Sequence, residues 1–223
     1  RGGARAARMP DAPRINGWII LDKPRGLGST QAVGAVKRNL REAGHGKVKV
    51  GHGGTLDPLA EGVLPIALGE ATKLSGRMLD SDKIYEFTVQ FGEETDTLDS
   101  EGEVVATSDH RPPRAAVAAI CEHFTGEIDQ VPPKYSALKV DGQRAYDLAR
   151  KGEDVELETR RVTIHSLAML GGGEDDRINS TFATTLGRPD PYDPQAPLEL
   201  AETATLVATV SKGTYIRSLA RDI

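Results

Sequence analysis

Cys121 is the only cysteine in 223 residues. An internal disulfide and a cysteine-rich zinc site are thereby excluded, and a reducing cytoplasm is the default compartment. Long apolar runs are missing as well. The longest, Trp18 to Leu21 and Val63 to Leu68, fall far short of the roughly 20 residues that a bilayer span requires. The first sixteen residues hold no apolar secretory core, so neither membrane attachment nor export is expected and the location is read as cytoplasmic. The five histidines, at 45, 52, 110, 123 and 165, lack ligand spacing. No protein-bound metal is expected from them.

What is present is a chain long enough for one large domain, with 38% apolar and 27% charged residues, a globular composition. The net charge of −5 hides a segregation. Residues 1–50 carry eleven Lys/Arg against Asp11, Asp22 and Glu42, a net +8 that leaves −13 on the other 173 residues. A basic face on an acidic body suits a selective binder of polyanions, because phosphate contacts steer while the acidic remainder repels wrong encounters. The plainer reading makes Arg1, Arg5, Arg8 and Arg14 part of a disordered basic tail over 1–14, and Lys37, Arg38 and Arg41 a solvated helix face.

The stretch Gly51-His52-Gly53-Gly54-Thr55-Leu56-Asp57-Pro58-Leu59-Ala60-Glu61-Gly62 sets one carboxylate in a glycine-rich turn. Its glycines permit close approach of a partner, and Pro58 biases Asp57 away from α geometry. This is not a triphosphate-binding loop, since no Gly-Lys-Ser/Thr follows at the required spacing. As a lone signal it also fits an ordinary Asp-Pro turn, or a glycoside hydrolase with Glu61 or Glu70 as the acid.

Periodicity gives alternating strands and helices. Gly17 to Asp22 reads as a buried strand. Ser29 or Thr30 caps a helix bearing Val33, Val36 and Leu40, with Gly44 after its end. Tyr85, Phe87, Val89 and Phe91 alternate with Glu86, Thr88 and Gln90, the mark of a half-buried strand. Pro113 starts a helix with Val117, Ile120, Cys121 and Phe124 on one side, and Gln143 to Lys151 forms a shorter one. Val162 to Leu170 and Thr203 to Val210 read as strands. Residues 171–200, rich in glycine, proline and acids, read as a mobile loop. Thr214 to Ile223 is a helix that the chain's end cuts short.

The turn is followed by Gly69-Glu70-Ala71-Thr72-Lys73, Asp82-Lys83-Ile84-Tyr85, Thr95 to Gly102, Tyr135-Ser136-Ala137-Leu138-Lys139 and Ser211-Lys212-Gly213-Thr214-Tyr215-Ile216-Arg217, and preceded by Leu21-Asp22-Lys23-Pro24. In order and spacing the chain resembles the bacterial TruB-type tRNA pseudouridine synthases, over about 15–170 and again from 201 to 223. Gly53 stands where many members have Thr or Ser.

The resemblance implies an α+β (mixed α/β) pseudouridine synthase catalytic domain over 15–223, with a largely antiparallel central sheet flanked by helices. A thumb-like insertion at about 128–152 would close over the substrate, and the acidic loop at 171–200 would be an added feature. The end of the catalytic domain and a small C-terminal RNA-binding domain would lie outside this chain. The implied activity is isomerisation of uridine to pseudouridine at position 55 in the tRNA T-loop, after the base is flipped out, by a monomer that needs no cofactor, guide RNA or protein partner. Asp57 matches the catalytic aspartate, Arg217 its cationic partner and Tyr85 a platform for the uracil. His52, Lys73, Tyr215 and Lys23 match substrate-binding or site-supporting positions. A module that binds RNA without chemistry is the other reading, and Asp57 separates the two.

Overall fold

The computed structural model describes residues 14–136, 138–140, 143–151, 157–170 and 199–223. The tail read over 1–14 and the acidic loop over 171–200 therefore lie almost wholly outside the described residues. The chain divides into two compact units, one ending at Ser81 and the other starting at Asp82. No described helix is long and apolar enough to cross a membrane.

The first unit is a three-stranded antiparallel sheet of order β1-β3-β2, built from β1 (Gly17–Lys23), β2 (Val50–His52) and β3 (Gly62–Leu68). Helix α1 (Ser29–Glu42) joins β1 to β2 and packs Ala32 and Val33 against Val50, Leu64, Ile66 and Leu68. A 3-10 helix (Gly69–Leu74) and α2 (Ser75–Asp80) follow. The strand read over 17–22 is present, but it is half-buried rather than buried. Ile19 and Leu21 face the core while Ile20 is 65% exposed, because only one face of this sheet is covered by α1.

Strand β3 is central yet carries Pro65, which cannot donate to a ladder. In an antiparallel strand a residue's N–H and C=O point to the same side, and the Pro65 carbonyl accepts the Gly53 N–H at 2.8 Å. The missing donor thus falls on the β2 side, just past the last β2 residue, His52, which pairs with Ile66. No bond to β1 is lost. Proline sits where β2 ends and the glycine-rich turn begins.

The second unit is a four-stranded antiparallel sheet of order β4-β11-β10-β7. It comprises β4 (Lys83–Gln90), β7 (Gly126–Gln130), β10 (Arg160–Met169) and β11 (Thr203–Val210). Helices α3 (Arg114–His123) and α5 (Ile216–Asp222) lay Val117, Cys121 and Leu219 on one face. On β11, Ala204, Leu206, Ala208 and Val210 are buried in strict alternation, and on the other face Thr88 and Thr205 share a hydrogen bond across the β4–β11 ladder. In β10 the register shifts between Ile164 and Ser166. That bulge moves the buried set from Val162 and Ile164 to Leu167, an odd step that a period of two misses.

Two small ribbons complete the unit: β5 (Glu93–Thr95) with β6 (Val104–Thr107), and β8 (Lys139–Val140) with β9 (Gln143–Arg144), which leads into α4 (Ala145–Arg150). The helix read from Gln143 thus starts two residues later, because Gln143 and Arg144 pair as a strand. The paired prolines Pro132 and Pro133 are buried at the entry to this segment. Both units bear out the mixed α/β class with antiparallel sheets.

Candidate active site

The turn that carries Asp57 is held from the end of β1, the loop after it and the first residue of α1. Ser29, buried, donates its hydroxyl to the Leu56 carbonyl and accepts the Leu56 N–H, both at 3.0 Å. On the other side of Asp57, the Pro58 carbonyl accepts the Gly26 N–H at 2.7 Å and the Lys23 ammonium at 3.3 Å. Lys23 is fully buried and spends its other donors on Leu27 (2.7 Å) and Pro24 (3.1 Å). Three carbonyls match the three donors of an ammonium. Burial pushes the Lys23 pKa below its usual value, while the Asp57 and Glu61 carboxylates oppose the shift.

Both neighbours of Asp57 are therefore fixed, its own carbonyl closes a turn with the Ala60 N–H at 3.0 Å, and its side chain is exposed on this unit. Serine at position 29 is not the helix cap expected from sequence. Gly28 takes that place, its N–H donating to the Gln31 amide oxygen at 3.0 Å, which leaves the Ser29 hydroxyl for the turn.

His52 ends β2, and its Nδ1 is buried without a hydrogen-bond partner among the described residues. Gly53 is buried beneath Met78; a Cβ added there would lie 2.7 Å from the Met78 Cβ. Lys73 stands on the 3-10 helix, highly exposed and paired with Glu70. That pairing, with help from Lys49 and Arg14, holds the Glu70 carboxyl below the usual range.

In the second unit Tyr85 sits on β4 opposite Ala208 of β11, partly buried against the core. Strand β11 runs into the turn at 211–215, where Gly213 has φ +80° and the Thr214 hydroxyl donates to the Ser211 carbonyl at 2.9 Å. Tyr215 is gripped by one buried side chain. The Gln130 amide nitrogen donates to the Tyr215 carbonyl at 3.1 Å, and the Tyr215 N–H donates to the Gln130 oxygen at 2.8 Å. One step on, the Ser218 hydroxyl donates to the Val131 carbonyl.

The Arg217 guanidinium donates to the carbonyls of Thr97 (2.8 Å) and Tyr135 (3.0 Å) and lies 3.6 Å from the Asp99 carboxylate. The loop that offers Thr97 and Asp99 is tied to itself. Thr97 Oγ1 and the Glu101 N–H both donate to Asp99 Oδ1, Thr95 Oγ1 donates to the Asp99 carbonyl, and Leu98 is held at φ +59°. Ser29, Gln130 and Asp99 are the polar residues that sequence reading assigned no part here. The Thr-Asp-Thr-Leu-Asp run was the available signal, since such residues fold back on their own backbone. The structure groups Lys23 with the Asp57 turn, and Tyr215 with Arg217; Lys73 pairs elsewhere, with Glu70.

Comparison with known proteins gives a consistent result. Residues 38–187 match the model of the TruB family pseudouridylate synthase N-terminal domain. A protein of Novosphingobium aromaticivorans named tRNA pseudouridine synthase B is 64% identical over 94% of this chain and 62% of its own length. One of the same name from Zymomonas mobilis is 56% identical over 94% of this chain and 60% of its own. The chain thus spans about three fifths of these curated relatives. Among solved structures, a chain of a Cbf5–Nop10–Gar1 complex superposes with a TM-score of 0.57 at 25% identity, covering 92% of this chain and 43% of that one. An H/ACA RNP bound to a substrate RNA containing 2′-deoxyuridine gives 0.55 at 24% identity, over 92% and 41%, and supports the fold alone. With the family model covering most of its length and relatives this similar, the chain belongs to the TruB family of pseudouridylate synthases.

Proposed function

We propose that the full-length protein isomerises uridine to pseudouridine at position 55 in the T-loop of tRNA. The observation that carries this reading is the Asp57 turn: an exposed carboxylate whose two neighbours are pinned by buried polar side chains, in a chain 64% identical to a protein named tRNA pseudouridine synthase B. Positioning of this kind suits a group that must meet a reacting carbon at one geometry.

In the reaction the bond between uracil N1 and ribose C1′ breaks, the base turns, and C5 joins C1′ while the C5 proton is lost and N1 gains one. Leaving group and entering group are the same base, so atoms balance without a cofactor. A stacked base hides these atoms, so the nucleotide must be flipped out at a cost of a few kcal/mol. Asp57 acts on the ribose, as nucleophile at C1′ or as base toward the 2′ proton, and must stay ionised in a site closed to water. Arg217 is assigned to hold that charge, since a nearby guanidinium favours the carboxylate form. Tyr85 stacks on the flipped uracil. His52 enters the T-loop beside the displaced base, where an aromatic ring needs no charge to stack. Lys73 and Tyr215 contact the substrate, and Lys23 supports the Asp57 turn.

Residues 15–223 are assigned to one catalytic domain with the segment 128–152 as a thumb over the T-loop. The enzyme is proposed to act as a cytoplasmic monomer without guide RNA. The test is tritium release from a tRNA transcript carrying 5-tritiated uridine. Release with a pseudouridine mapped to the T-loop, lost in Asp57→Asn, is expected. Tight binding without release would leave a binding module, and free uracil would indicate a hydrolase.

A further inference from the structure

Helix α1 and the run into β2 build a second feature that the uridine chemistry does not use. Lys37 and Arg41 are one turn apart on α1, so their side chains share a face. After the helix, Gly44 and Gly46 take φ of +82° and +62° and turn the chain back alongside it. In the extended run that follows, Val48 and Val50 point to the core while Lys47 and Lys49 point out. The result is a groove of about 710 Å³ with a valine floor and two cations on each wall.

All four cations are exposed, and none forms an ion pair with another described residue. From Lys23 to Leu56, both included, the sequence has seven Lys/Arg and a single acid, Glu42. Glu70 also faces the group, its carboxyl feeling Lys49, but it is bonded to Lys73. Arg41 has a structural reason to stand in the last turn of a helix, where the dipole favours cations. Lys47 and Lys49 have none of that kind, and like charges one turn apart at 37 and 41 oppose helix formation. Crowding of this sort is relieved when an anion occupies the groove.

We propose that this groove is an RNA-backbone subsite, separate from the uridine pocket, that takes consecutive phosphates of the bound tRNA. The inference rests on the proposed function for the identity of the RNA. Lysines predominate, and they act as point charges without the bidentate geometry of arginine, which fits phosphate contacts that position an RNA without reading its sequence. The distance also fits. Lys49 is three residues before His52 on one extended run, roughly 10 Å away, so an RNA strand reaching the Asp57 turn would pass the groove within about two nucleotides.

The experiment compares the full-length protein with a Lys37→Gln/Arg41→Gln/Lys47→Gln variant, measuring equilibrium binding of an unmodified tRNA transcript from 50 to 300 mM salt alongside tritium release. Each lost phosphate contact removes about 0.7 to 0.9 from the slope of log affinity against log salt. The triple variant is expected to bind on the order of 10- to 100-fold more weakly at 0.15 M salt, with the slope lowered by about 2 to 3. KM should rise in step while kcat is unchanged. A Lys37→Arg/Lys47→Arg variant keeps the charge and should bind as the parent does. Parent-like affinity and slope in the triple variant would overturn the proposal, as would equal loss in the arginine variant, which would trace the effect to shape and not charge. Failure of the uridine reading shows separately, as absence of tritium release from the parent protein, whatever the binding data give.

Discussion

In the first unit a serine hydroxyl, and in the second a glutamine amide, bonds to both the N–H and the C=O of one backbone residue beside the candidate chemistry. Leu56 next to Asp57 and Tyr215 next to Ile216-Arg217 are thus each held as a ladder partner would hold them, but by a side chain. The charged groups differ. In the first unit, support and the proposed chemistry are divided between Lys23, buried with three carbonyls, and Asp57, presented outward. In the second, Arg217 itself bonds to two carbonyls and faces Asp99. A lysine can be hidden because its three donors suffice to saturate it, whereas the fork of an arginine has five and leaves some for other acceptors.

The comparison breaks first at the charged residues. Lys23→Met removes three hydrogen bonds from a charged donor, each worth about 1.5–3 kcal/mol, and leaves the Leu27 carbonyl without its donor, while the Pro58 and Pro24 carbonyls keep the Gly26 and Leu27 N–H. Urea denaturation should therefore show the largest stability loss of any single change here. Turnover per folded molecule should fall far less than in Arg217→Met, which removes support and the proposed catalytic charge together. Equal turnover losses in the two variants would erase the distinction between the units.

The paired clamps give the next effect. Ser29→Ala strips the Leu56 N–H and C=O of their partner, and Gln130→Leu strips the Tyr215 N–H, whose C=O keeps the Leu219 N–H, so each should lower stability by about 1–3 kcal/mol, read from denaturant midpoints. If only one of them reduces kcat, the clamps do not play equivalent parts.

A cost of similar size is expected at Gly53. Gly53→Ala brings a Cβ to 2.7 Å from the Met78 Cβ and 3.3 Å from the Pro65 Cγ, an overpacking that costs about 1–3 kcal/mol. Combining it with Met78→Ala should recover part of that in a double-mutant cycle; a purely additive result would mean that the backbone and not Met78 resists.

The smallest effect uses Cys121 as a probe of the second unit alone. Burial raises the thiol pKa, and Sγ donates to the Val117 carbonyl, so a thiol reagent should react only after local opening. A raised acid pKa means the folded state keeps its proton where the unfolded state has lost it. Stability is unaffected while both are protonated and declines as pH climbs past the usual thiol range. Rapid labelling at neutral pH would show that α3 opens easily.

Strands β4 and β11 were legible because one face of each is buried, so alternation survives in the sequence. The periodicity of α1 was visible for the same reason. Strand β3 was not read, because Pro65 argues against a central strand until the end of β2 is known to lie opposite it. The bulge at His165 hid the register of β10. Asp57 could be singled out from its turn, but Ser29 looked like a helix cap and Gln130 fell without a role in the segment read as a thumb-like insertion. Their partners are 27 and 85 residues away, and no local pattern encodes a single long-range hydrogen bond.

The pairing of β4 with β11 also orders events during synthesis. The first unit has all three of its strands by Leu68, whereas β4, complete at Gln90, waits for a partner that begins at Thr203. At roughly 5–20 residues per second that wait is on the order of ten seconds. For its duration Tyr85, Phe87 and Val89 lack the strand that will lie beside them. The emerging chain therefore passes through a stage in which its first sheet can be complete and its second is an open edge, a natural point for a chaperone to bind and for a stalled chain to aggregate.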